Sequence, residues 1–244
     1  MKKIFKPTRR LHKWLGYLLG LQILAWLLGG LIMSAIPLEK VHGKHLATRT
    51  LTNPFKSHDY IASIDDILSQ VTNPTKIIFT HFLSTPLITV TSAGSQQSFN
   101  GITGQPFKAP NRQQIIANAH AHLLINAQRV SAALLATGPR ESGYKTNIWQ
   151  VKFNDTFNTT LYLSSDTGKV ITVRSDIWRV FDFFWMLHIM DYDEREDFNN
   201  PLLISFAASS VFFSFTGFIL LLQNIRLLVP PGAANDEMMT EKAQ

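Results

Sequence analysis

The sequence predicts an α+β protein in which two transmembrane helices flank an external domain of two similar helix-plus-antiparallel-sheet units. Three observations predict it. Two long apolar runs occur, Leu11 to Ile36 and Pro201 to Leu222; a polar stretch of about 160 residues separates them; and within that stretch a helix followed by strands occurs twice. The first run holds no acidic residue and a single cation, Lys13, and the second holds no charge at all. A helix of roughly 20 apolar residues spans ~30 Å, enough to cross a bilayer.

A basic arm, residues 1–10, precedes the first span. Residues 1–13 carry six cations (Lys2, Lys3, Lys6, Arg9, Arg10, Lys13) and no acid, whereas Pro37 to Asn200 carries fifteen Lys/Arg against fourteen Asp/Glu. The net charge of +6 thus sits beside the first span. The positive-inside rule then makes the N-terminus cytoplasmic, and a nucleic-acid partner is not expected. The first span, residues 11–36, is longer than the ~7–15-residue core of a cleaved signal, and Met33-Ser34-Ala35 lacks the small residue two before Ala35. It reads as an anchor that stays, and its length also argues against a twin-arginine signal at Arg9-Arg10. The second span, residues 201–222, returns the chain, so residues 37–200 lie outside and a tail, residues 223–244, is cytoplasmic. With no cysteine there is no disulfide, thiolate metal site or covalent haem attachment.

After a linker, residues 37–57, the first unit (58–108) has apolar residues at helical spacing, Ile61, Ile64, Ile67, Leu68 and Val71. Two β-type runs follow, Ile77–Phe82 and Leu87–Thr91, around a turn at Ser84-Thr85-Pro86, and then Ser98–Gly104, a strand entering a glycine turn. The second unit (109–175) opens with a helical run from Asn111, a natural cap, to about Leu124, and continues with strands at Trp149–Phe153 and Thr160–Val173. Thr-Gly ends a strand at 103–104 and again at 167–168. Residues 176–200 read as an interfacial amphipathic helix, with Trp178 and Trp185 for the membrane–water zone, and then an acidic loop. Asn200-Pro201 suits the cap and first turn of the last helix.

Leu163-Ser-Ser-Asp-Thr-Gly-Lys-Val-Ile171 resembles the Asp-x-Thr-Gly turn of the PepSY domain, and Asn100-Gly-Ile-Thr-Gly104 is a degraded form of it. Arg9-Arg-Leu-His-Lys-Trp-Leu-Gly16 and Leu187-His188 are similar to motifs of the PepSY-associated transmembrane family. The resemblance covers most of the chain and implies two PepSY-like units between the spans. It implies either of two functions. Relatives of this architecture are associated with iron–siderophore reduction and electron transfer to periplasmic flavoproteins through haem b in the bacterial inner membrane. PepSY domains also occur in peptidase propeptides, which implies a membrane-anchored module that restrains or assists a periplasmic partner protein. The siderophore-reductase branch has about twice as many spans, so an inner bis-histidine site here requires a homodimer through the transmembrane helices.

The candidate ligands are histidines. On a continuous helix Gly16, Leu19, Ile23 and Gly30 fall within about 40° of His12. An axial nitrogen above glycines, Gly16 and Gly30, suits close approach of a haem ring. The same residues also read as a Gly16-x-x-x-Gly20 packing motif with His12 among headgroups. His42 and His45 follow the first span and share a face if the helix continues there. His188 ends the interfacial helix, with Asp191 placed to hold its second nitrogen; the other reading makes it a helix-end residue. His42 or His45 with His188 is the candidate outer site. His120 and His122, two apart on a helix, point in opposite directions, and His58 and His81 are isolated. Gln22 near mid-span seeks an interhelical partner, and Ser210, Ser214 and Gly217 allow close packing of the second span.

Overall fold

The computed structural model describes residues 2–51, 56–127 and 130–228. Residues 229–244 of the expected cytoplasmic tail, Met1 of the basic arm and residues 52–55 of the linker lie outside the described residues. The elements in chain order are α1 (Lys2–Ala35), α2 (Leu38–Val41), α3 (Ile64–Ser69), β1 (Pro74–Phe82), β2 (Thr85–Ser92), β3 (Ser95–Asn100), α4 (Arg112–His122), β4 (Val130–Thr137), β5 (Thr146–Phe153), β6 (Thr160–Ser164), β7 (Val170–Arg174), α5 (Asp176–Ile189) and α6 (Pro201–Leu228). Two compact units result: a helical unit, Met1–Ala35 with Phe183–Gln244, and a sheet unit, Ile36–Asp182.

In the helical unit two helices, over Lys6–Ala35 and Pro201–Leu222, are long and apolar enough to cross a membrane. They run antiparallel: His12 meets Thr216, and Gly16 packs on Phe213. Their outer faces expose large apolar side chains, among them Leu21, Leu24, Val211 and Phe215, faces suited to lipid rather than water. At ~1.5 Å per residue the start of α6 comes level with about Leu27, so the last two turns of α1 rise past it. The second half of α5 runs along α1 from Gly29, on which Phe184 lies, to Gln22, which donates to the Leu187 carbonyl at 3.2 Å. Asn200 caps α6, its Oδ1 accepting from Leu203 N at 2.8 Å.

The sheet unit holds two antiparallel sheets, one in the order β1-β2-β3 and one in the order β4-β5-β6-β7. Each has its own helix and core. Ile67 of α3 is buried with Ile88, Val90 and Phe99, and Ile115 and Ala119 of α4 are buried with Val151, Leu161 and Val173. Asn111 closes a capping box with Gln114, which satisfies two orphan amides at the start of α4. The first hairpin turns at Leu83-Ser84, with Leu83 at φ 53, and Thr85 and Pro86 already belong to β2, one residue or two earlier than expected. Proline is tolerated there because it sits at the start of the strand.

The repeat is a repeated turn. Asn100 N donates to Gln105 O and Gly104 N to Asn100 O; Ser164 N donates to Lys169 O and Gly168 N to Ser164 O, all at 2.9 Å. Gly104 and Gly168 have φ of 69 and 68, the left-handed region that glycine adopts without strain. Leu163 then pairs with Val170 and Phe99 with Pro106. The strand that closes the second sheet is thus reduced in the first to an isolated bridge, at a proline that has no N–H to donate.

A Cβ on Gly168 would stand 2.2 Å from Phe82 Cε2, besides adopting a left-handed φ. Gly168→Ala is expected to cost the sheet unit about 2–4 kcal/mol, combining overpacking with backbone strain. Chemical denaturation of the full chain measures this, and adding Phe82→Leu recovers part of the loss if the ring is the obstacle.

Candidate functional site

His12 is held by α6. Thr216, buried, donates its one hydroxyl hydrogen to Phe213 O at 2.7 Å. Toward His12 Nδ1, 2.8 Å away, it can therefore only accept. Nδ1 is then the donor of the pair, which leaves Nε2 outside this bond. The ring stacks on Phe213, centroids 4.3 Å apart and nearly parallel. A Cβ on Gly217 would come 3.0 Å from His12 Cε1, so that glycine lets the imidazole lie against α6. The stripe expected beside His12 differs: Gly16 packs on the Phe213 ring, and a Cβ on Gly30 would meet nothing within 4 Å among the described residues. The flat ring at Gly16 is a phenylalanine. Of the small residues expected at the helix contact, Gly217 makes it, while Ser214 is exposed and bonds back to Ser210 O.

His188 sits beside Trp26, ring centroids 6.0 Å apart. His188 Nδ1 and Trp26 Nε1 are both buried without a hydrogen-bond partner. Asp191 does not orient His188 as expected. Its carboxylate accepts the amides of Asp193, Glu196 and Asp197, and these amides, Asp197's foremost, hold it below the usual carboxylate range. Asp191 organises the acidic loop.

His42 and His45 do not share a helical face. α2 stops at Val41, and Gly43 at φ +70 turns the chain away. A Cβ there would come 2.8 Å from Val173 Cγ1, so the break is built into the packing. His42 is exposed, its pKa lowered by partial burial and by repulsion from Arg49, Arg174 and Lys44. His45 has both ring nitrogens buried and unpartnered, with its ring edge-on to Phe157. Both belong to the sheet unit and His188 to the helical unit. Among the described residues no three His, Asp or Glu side chains converge as a metal site.

Glu141 collects a charged network in the sheet unit. Tyr162 donates to its Oε1 at 2.6 Å, Arg179 donates to both its oxygens, and Arg174 donates to its carbonyl at 2.7 Å. Burial, and then donation to Glu141, push the Tyr162 hydroxyl far up. Burial and repulsion from Arg49 push Arg174 down to about 10, still charged at neutral pH; its guanidinium lies 4.3 Å over Trp178.

The histidine that sequence reasoning passed over is His122. It closes α4 on the stripe of Ile115 and Ala119, four and seven residues along one helical face, and is buried with them. That spacing was the available signal. His122 Nδ1 donates to Thr48 O at 2.8 Å, so its lone pair is at Nε2, without a hydrogen-bond partner among the described residues. Comparison with known proteins returns no match: no family model, no curated protein and no solved structure corresponds to the chain.

Burial lowers the His122 pKa below the ordinary 6.5, only partly offset by the bond to Thr48. As pH falls through 6.5 the unfolded chain takes a proton that the folded chain refuses. Stability is therefore complete above 6.5 and declines below it, until pH passes the folded value, by at most about 1.4 kcal/mol per pH unit. His42, lowered too, acts in the same direction. Denaturation at pH 7.5 and 5.5 is expected to show a smaller pH dependence for His122→Gln than for wild type.

Proposed function

We propose that the protein is a bacterial inner-membrane protein of the PepSY-associated transmembrane family. Its helical unit would carry electrons through b-type haem toward periplasmic flavoprotein or iron–siderophore reduction. The observation that carries this reading is the His12–Thr216 pair. A ligating histidine commonly donates its other ring nitrogen to an outer acceptor, which fixes the tautomer and raises ligand basicity. Thr216 is such an acceptor, and it leaves Nε2 free to serve as one axial nitrogen. Haem, when bound, supplies one-electron transfer at a potential tuned by its axial ligands and its burial.

The chain's own residues do the rest. Thr216 and Phe213 fix the plane of the His12 ring, and Gly217 admits it against α6. One inner histidine per chain calls for a second copy to supply the other nitrogen, and the apolar faces of α1 and α6 are the surfaces on which two copies would pack. His188, with its buried unpartnered Nδ1, is the candidate at the outer level. The basic arm supports cytoplasmic termini with residues 37–200 in the periplasm.

A second reading is a membrane-anchored periplasmic binding module that restrains or assists a peptidase or other partner without redox chemistry. The position of β1 as an edge strand among the described residues, beside a cleft in the sheet unit, favours it.

Protein purified after expression with ample haem is expected to show a Soret band and split α/β bands, lost in His12→Ala or His188→Ala. Thr216→Val is expected to keep the fold and weaken haem retention about 10–100-fold. Colourless, folded wild-type protein would rule out the electron-transfer reading and leave the second. A haem-loaded monomer would rule out the shared inner site.

A further inference from the structure

Two cavities in the sheet unit compete as a ligand site. The larger, about 620 Å³, is walled by Arg140, Glu141, Lys152, Asp176 and Arg179, but apart from Lys152 these charges are already joined, Arg179 to Glu141 and Asp176, and Arg140 to Asp182. The smaller, about 270 Å³, lies along β1 from Ile78 to Phe82 and against the Thr167–Val170 turn. Its charged lining consists of Arg49 and Lys169, with no acidic side chain among the described residues. Neither cation has an ion-pair partner among the described residues.

His122, more than nine-tenths buried, adds an unpartnered acceptor to the same lining. Ile78, Leu87 and Val170 add apolar wall, and β1 is the edge strand of its sheet, pairing with β2 alone among the described strands. Two unpaired cations ask for an anion, a histidine lone pair for an N–H donor, and a strand edge for an extended chain. The volume is below the ~300–1,000 Å³ of typical small-molecule pockets, so only the end of a chain enters.

We propose that this cleft binds the C-terminal end of an extended polypeptide. Lys169 and Arg49 hold the terminal carboxylate, His122 Nε2 accepts a ligand amide hydrogen, and the last side chain rests on Ile78, Leu87 and Val170. The preceding residues add to the edge of β1. This rests on the binding-module reading and gives it a ligand class, and it is independent of haem.

The test uses the full chain in lipid nanodiscs and a fluorescein-labelled hexapeptide of alternating Thr and Val ending in Leu. The probes are the free acid, the C-terminal amide and, as a competitor, 4-methylpentanoic acid. The free acid is expected to bind, with amidation, Lys169→Glu and His122→Phe each weakening it at least tenfold while circular dichroism shows both variants folded. Equal binding of acid and amide, indifference to Lys169→Glu, or no binding by the peptide overturns the proposal. Competition by 4-methylpentanoic acid at the peptide's own affinity overturns it too, since that acid offers neither an amide nor a strand. A photo-crosslinking residue in place of Phe79 scores the underlying reading separately. A partner captured in cells but insensitive to Lys169→Glu keeps the module and discards this ligand. Capture of nothing, with no peptide binding, discards both.

Discussion

The sheet unit depends on one close approach, the ring of Phe82 lying on Gly168. Phe82 ends β1 of the first sheet, Gly168 lies in the turn between β6 and β7 of the second, and Asn118 of α4 donates to the Gly168 carbonyl at 2.8 Å. Three elements therefore meet at a residue without a side chain. The equivalent Gly104 carries the same left-handed φ, but a Cβ there would meet Ala62 at an ordinary 3.7 Å. The positive φ belongs to the turn and occurs in both copies. The close approach belongs to the second alone, and it holds the edge of β1 beside the Thr167–Val170 turn, where the cleft opens.

In the helical unit the governing constraint is where backbone and side-chain hydrogens go. The last carbonyls of any helix lack intrahelical partners, and α5 ends against the apolar flank of α1. Gln22 donates to Leu187 O, and Asn200 to Ile189 O at 3.0 Å, so the amide side chains supply what water would elsewhere. The same accounting orients His12: a threonine whose one hydrogen goes to Phe213 O meets the imidazole as an acceptor at Nδ1. Trp26 Nε1, His188 Nδ1 and Ser210 Oγ remain without partners. Each costs about 1–3 kcal/mol when buried unpaired, and two of the three meet at the Trp26–His188 contact.

The α+β class, the two apolar helices and six of the strands were legible because their signals are local: uninterrupted apolar runs, β-branched alternation, and glycine turns at 104 and 168. β4 was not, since Val-Ser-Ala-Ala-Leu-Leu-Ala-Thr has neither alternation nor many β-branched residues, and its place comes from pairing with β5. Gln22 was legible as an amide seeking a partner, but its acceptor, a backbone carbonyl of α5 165 residues away, was not. The pairing of Asp191 with His188 failed because amides of a tight loop outcompete a side chain for a carboxylate. The pairing of His42 with His45 failed because a glycine two residues past α2 ended the helix. His122 was set aside for pointing away from His120, though pointing away from a neighbour on a helix is what places a residue in the core.

α5 changes character within one residue. From Asp176 to Asp182 it carries three charged side chains, Asp176, Arg179 and Asp182, and from Phe183 to Ile189 no Asp, Glu, Lys or Arg. The division between the units falls at the same point. Asp182 is almost wholly buried, and a carboxylate so placed is tolerable only with a bidentate cation, which Arg140 supplies through both guanidinium nitrogens at 2.9 and 2.5 Å. Such a pair recovers roughly its own desolvation rather than adding much stability. Its effect is positional. A carboxylate bound to Arg140 is costly to carry into an apolar environment, so Asp182 marks the residue after which the apolar part of α5 begins.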